Sequence, residues 1–127
     1  MKTSAIAALI AATSLTACVS LPPDGPKPDP GPAPTAAEAE RVGAAAVRPF
    51  LKDPDSMKDV EVRISKTGWV DNAGKWDSGW QVCFAYNAKN SYGAYAGRTV
   101  KQLILRCTAP DRCWDYSNGG RWMETIC

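Results

Sequence analysis

Trp80-Gln81-Val82-Cys83-Phe84-Ala85-Tyr86-Asn87 decides the fold. Side chains alternate along an extended chain, so Trp80, Val82, Phe84 and Tyr86 share one face and Gln81, Cys83, Ala85 and Asn87 the other. This is the clearest strand in the sequence. Downstream, Arg98 to Cys107 reads as a second long strand, with Leu103, Ile104 and Leu105 at its centre. Upstream, Val60, Val62 and Ile64 alternate with Glu61 and Arg63, the pattern of a half-buried strand. Asp71-Asn72-Ala73-Gly74 supplies turn chemistry between Trp69-Val70 and Trp76. Asn118-Gly119-Gly120 predicts a hairpin turn, and Arg121 to Ile126 a last strand.

A helix precedes these strands. Thr35-Ala36-Ala37-Glu38 has the form of a capping box, in which Glu38 reaches back to the cap amide. Val42, Ala45, Ala46 and Phe50 follow at helical spacing, and Glu38, Arg41, Arg48 and Lys52 are expected in water. Pro49 removes a donor and crowds the preceding turn, so a kink or two short pieces are expected, ending at Lys52. Asp53-Pro54-Asp55-Ser56 is a stop and turn. One helix followed by neighbouring strands predicts an α+β domain. Its N-terminal helix packs on a small antiparallel sheet of about four or five strands. Five Trp, four Tyr and two Phe enlarge a core that about 90 residues keep modest.

The start of the chain has a different character. Met1-Lys2 is a short positive region, and Ala5 to Leu15 an apolar run. At about eleven residues the run is shorter than the ~20 needed to span a bilayer and fits a signal peptide. It ends in Leu15-Thr16-Ala17-Cys18, which resembles the lipobox of bacterial lipoproteins. The resemblance implies removal of residues 1–17, acylation of Cys18 and attachment to membrane lipid. Two or three acyl chains anchor stably where one is marginal. Val19, rather than Asp, follows the cysteine, which in that family favours the outer membrane, with the domain facing the periplasm. Residues 18–35 then form a lipidated cysteine and a proline-rich stalk, holding seven of the ten prolines. Such a segment favours extended polyproline II. A spacer is the preferred reading, a ligand for a proline-recognition module the other. The globular domain is expected over residues 36–127.

Composition narrows the function. Fifteen basic and 13 acidic side chains leave a net charge of +2, without the basic excess that nucleic-acid binding needs. The chain has no histidine, which removes the commonest general base and metal ligand. Of five cysteines, lipidation would take Cys18 and leave Cys83, Cys107, Cys113 and Cys127 for two disulfides in an oxidising compartment. A turn centred near Tyr95 would join Cys83 to Cys107, and one near Gly120 Cys113 to Cys127. The short loop through Ala109-Pro110-Asp111 would instead join Cys107 to Cys113 and leave Cys83 with Cys127, the pairing preferred. A four-thiolate zinc site lacks the C-x2-C knuckles such sites use. Asp53, Asp55 and Asp59 match a calcium loop only loosely and read better as a helix stop. No metal and no cofactor is expected.

The candidate site is the polar, aromatic connection from Asn87 to Gly97, with Asn87, Lys89, Asn90, Ser91, Tyr92 and Tyr95. Leu51-Lys52-Asp53-Pro54-Asp55-Ser56 and Val82-Cys83 through Gly97 are similar to an L-K-D-P-x-S … V-C-x-x-x-N-A-K-N-S-Y-G-x-Y-x-G pattern. A set of small exported bacterial proteins and lipoproteins without assigned activity shares it, over roughly residues 45 to 105. The other cysteines and the Trp-rich end lie outside that pattern. Structurally, the Asn and Gly residues suit a tight connection, and Tyr92 and Tyr95 would pack across the sheet. Functionally, amides, an ammonium and two rings suit glycan or peptide recognition, with Lys89 meeting a carboxylate, for instance on peptidoglycan. A Lys89–Ser91 base and nucleophile pair rests on adjacency alone. Trp69, Trp76 and Trp80 read as core rather than as a binding platform. The expected protein is therefore a non-enzymatic outer-membrane lipoprotein whose domain binds an envelope glycan or protein. An inhibitor or phage-exclusion lipoprotein is the alternative, and an enzyme acting on envelope polymers is disfavoured.

Overall fold

Thr35 begins the helix, but only half of its capping box forms. The computed structural model describes residues 24–71, 73–117 and 127. The Thr35 hydroxyl accepts from the Glu38 amide at 3.1 Å, while the Thr35 amide donates to the Pro110 carbonyl at 2.9 Å. Glu38 therefore turns elsewhere. Its carboxylate accepts two bonds from Arg41, at 2.6 and 2.7 Å, and one from the Cys113 amide at 2.8 Å. Glu38 is buried rather than in water, because a buried strand amide needs an acceptor. Its bonds to Arg41 and to the Cys113 amide outweigh burial and hold its pKa down to about 2.

The helix, α1, spans Ala36–Val47, and Pro49 sits in a separate 3-10 turn, Arg48–Phe50. That turn rotates Phe50 off the apolar stripe, leaving it exposed, and Ala45 is exposed as well. The stripe is instead Ala39, Val42, Gly43 and Val47. A second 3-10 turn, Pro54–Ser56, follows Asp53.

Four antiparallel strands follow in spatial order: β1 (Lys58–Val70), β2 (Trp76–Asn87), β3 (Thr99–Ala109) and β4 (Arg112–Asp115). Register aligns Ile64 with Val82 and Val82 with Leu103, and Trp80 lies opposite Leu105. The core unites this face with the helix: Ala39, Val42 and Val47 with Val82, Phe84, Leu103, Leu105, Cys107 and Cys113. A Cβ on Gly43 would stand 2.4 Å from the Phe84 ring, so the glycine sets how closely helix and sheet approach. The other side of β2 is no wet face, since Gln81 and Ala85 are also buried there, as is Ile104 on β3.

The structure pairs Cys83 with Cys127 and Cys107 with Cys113. Cys107 and Cys113 are directly opposite across β3 and β4. The alternative pairing fails on register: Cys83 faces Gln102, so the β2–β3 connection centres near Tyr92-Gly93 rather than Tyr95. The four-residue β4 is a strand that the sequence reading missed. The expected turn at Asn118-Gly119-Gly120 and strand Arg121 to Ile126 lie outside the described residues, as do the signal region and Cys18.

Over residues 27–34 the proline-rich segment is packed on the domain rather than a free spacer. Pro30 and Pro34 are buried. The Trp80 indole N–H donates to the Gly31 carbonyl at 3.2 Å. The Lys27 ammonium lies 4.8 Å from the Trp76 ring centre, and Asp29 meets Lys66 at 4.0 Å. A Cβ on Gly68 would stand 2.9 Å from the Lys27 side chain, and one on Gly31 3.3 Å from the Cys107 carbonyl. Residues 27–34 thus form a strap across β1, β2 and β3, on the same face as α1. Packing on the sheet extends N-terminally of Ala36, to Lys27.

Candidate functional site

Asn87 and Asn90 build the β2–β3 connection. The Asn87 side-chain oxygen accepts from the Gly97 amide at 3.0 Å and closes the loop. The Asn90 side-chain oxygen accepts from Tyr92 at 2.9 Å and from Ala94 at 3.2 Å. Backbone bonds between Asn90 and Ala94 and between Ala96 and Ala88 complete the frame. Gly93 takes φ +80° at the turn, a left-handed position where a side chain is strained.

This frame puts Tyr92 at the tip, 95% exposed. It does not pack across the sheet. Tyr95 returns beside Lys89 in an isolated antiparallel bridge. The Lys58 ammonium lies 3.9 Å and the Lys89 ammonium 5.6 Å from the Tyr95 ring centre. Both cations draw on the negative ring face. Among the described residues, neither ammonium is paired with a carboxylate; nearby Glu61 is paired with Arg98 at 3.3 Å. Ser91 is exposed at the turn, and no hydrogen bond joins it to Lys89 among the described residues.

Ser56 belongs to the other block of the sequence pattern, and Lys58 lies two residues beyond it. The Ser56 hydroxyl donates to the Asp53 carbonyl at 2.7 Å and accepts the Lys89 amide at 2.8 Å. The Pro54–Ser56 turn is thereby a brace under the loop, and the two blocks meet in space. Lys58 begins β1 opposite Asn87, at a bulge before Glu61. Asp59 in that bulge has φ +53°, the positive-φ residue among the described non-glycines. A bulge bends the strand and re-aims side chains. Sequence reading missed Lys58. Its signal was proximity to the first block, but only the β1–β2 register brings it to the loop. Asp55 pairs with Arg48 at 3.4 Å, as befits the end of a helix.

The three tryptophans do not form a platform. Trp76 and Trp80 underlie the strap, whereas Trp69 lies on the other face, 6.1 Å from the Tyr116 ring. A polar cluster adjoins it. Arg106 pairs with Asp77, donates twice to the Ser78 carbonyl at 3.1 Å, and lies 4.4 Å from the Tyr116 ring centre. Tyr116 donates to Asp77 at 3.1 Å. That bond and the carboxylate's charge raise the Tyr116 pKa above its ordinary value. This cluster was not foreseen, because Asp77, Arg106 and Tyr116 belong to three separate segments. Its groups satisfy one another, whereas the cations at Tyr95 have no carboxylate partner among the described residues.

Fold and loop together define a small disulfide-stapled α+β domain with a framed, cationic and aromatic loop. Comparison with protein-family models, with curated proteins and with solved structures finds no match.

Proposed function

We propose that this chain is an exported lipoprotein, held on the outer membrane through acylated Cys18, whose domain is a non-enzymatic binding module. Its ligand class is an anionic envelope glycan, taken at Lys58, Lys89, Tyr92 and Tyr95. The observation that carries this reading is the pair of ammonium groups at the Tyr95 ring, without carboxylate partners among the described residues. A ligand carboxylate supplies the missing counter-charge, and a sugar ring finds an apolar partner in exposed Tyr92. The loop is already framed by Asn87, Asn90 and Ser56, so binding orders little new chain, which lowers its entropic cost. The leader and lipobox support export and anchoring.

Co-sedimentation with purified murein sacculi tests the binding. The wild-type domain should pellet with sacculi, and added salt should release it, since exposed charges are screened. The double variant Lys58→Ala/Lys89→Ala should bind roughly tenfold more weakly, the sum of two exposed ion pairs. Equal pelleting of the variant and wild type would rule out this surface. Mass spectrometry of native protein tests the anchor, which an unmodified Cys18 would refute.

A further inference from the structure

The geometry points to a short tether whose point of exit holds the β1–β2 end of the sheet nearest the anchoring bilayer and the Lys58–Lys89–Tyr95 surface farther from it. This rests on Cys18 being the lipid anchor. Were the proline-rich segment free as far as Thr35, residues 19–35 would extend up to roughly 50 Å at ~3.1 Å per residue. Lys27, Asp29 and Gly31 are instead held on Trp76, Lys66 and Trp80. Only residues 19–26 separate Cys18 from the strap, a reach of about 25 Å at ~3.1 Å per residue.

The place where the tether leaves the domain sets the orientation. Lys27 sits against Trp76 and Gly68. Gly68 pairs with Ser78 and Val70 with Trp76, so this is the end of the sheet that carries the β1–β2 turn. Tyr95 and Lys89 lie beyond Asn87, at the opposite end of β2. The eleven steps from Trp76 to Asn87 are about 35 Å at ~3.3 Å each. The β1–β2 turn is therefore the end held nearest the lipid, and the cationic loop lies a strand's length from that point of attachment. The anion it meets belongs to a polymer remote from the anchoring membrane, not to that membrane's headgroups, although both offer negative oxygens.

Headgroup quenching tests this. The chain from Cys18 onward is coupled through that thiol to a maleimide lipid in vesicles, with a fluorescent non-natural residue at Lys75 or at Ser91. A quencher on lipid headgroups should suppress the Lys75 signal at least threefold more than the Ser91 signal. Raising the anionic lipid fraction should leave Ser91 unquenched. Lys27→Ala/Trp80→Phe, which frees the strap, should bring the two signals together. Equal quenching in the wild type, or recruitment of Ser91 to anionic lipid, would overturn the proposal. If the variant does not fold, the wild-type comparison still decides. Coupling at Cys18 separates this result from natural lipidation, which the mass of Cys18 in native protein reports independently.

Discussion

Glu38 shows how far a single residue departs from its local motif. Its position after Thr35 is legible as a cap, but its partner Cys113 lies 75 residues away, and no local pattern encodes that contact. Arg41, its first partner, is largely exposed, so that attraction is screened by solvent and contributes little. The bond to the buried Cys113 amide is worth more, about 1–3 kcal/mol. With its pKa held down to about 2 from 4.5, Glu38 stabilises the fold fully above pH 4.5. That contribution is lost as pH falls towards 2. Glu38→Gln should therefore lower stability at pH 7 and flatten its pH dependence between 4.5 and 2, as urea unfolding across that range will report. Gly43 gives a second residue-scale prediction. Gly→Ala within a helix ordinarily gains up to about 1 kcal/mol. Here the added Cβ meets the Phe84 ring at 2.4 Å, and overpacking of that kind costs about 1–3 kcal/mol. Gly43→Ala should thus lower the urea midpoint rather than raise it.

Among the elements, β2 was legible because its alternation continues over eight residues, and β4 was not because four residues carry no period. Burial on both sides of β2 also escaped the sequence, since Cys127 reaches Cys83 from a distance of 44 residues. Proline content marks a segment without helix or strand, and residues 24–34 form neither, yet the strap depends on where Trp76 and Trp80 lie in the fold. Trp80→Phe removes the indole donor to Gly31 while keeping a ring, and amide hydrogen exchange should then quicken in residues 27–35 before the sheet is affected. The loop's polar composition was legible, but its brace was not, because Ser56 and Lys89 are 33 residues apart. Ser56→Ala should cost about 1 kcal/mol and speed exchange at the Lys89 amide, with the strands retained. Exchange unchanged at Lys89 would remove Ser56 from the account of the loop.

At the scale of the whole molecule, the two disulfides constrain different lengths of chain. Loop-closure entropy assigns about 4 kcal/mol to Cys83–Cys127, with a separation of 44, and about 2 kcal/mol to Cys107–Cys113, with a separation of 6. Replacing the first pair by serine should lower the urea stability about twice as much as replacing the second. Two stapled ends, a helix and a strap leave the β2–β3 connection as a part of the described surface where two ammonium groups share one ring, without carboxylate partners among the described residues. The central claim is that these groups bind an anionic glycan and are not merely packing. Titration calorimetry of a soluble muropeptide bearing free carboxylates, against wild type and Lys89→Ala at low and high salt, tests it most directly. The account predicts salt-sensitive binding that weakens severalfold in Lys89→Ala, while the unfolding free energy stays within about 0.5 kcal/mol of wild type. Undiminished affinity in Lys89→Ala, or affinity lost only together with stability, would contradict it.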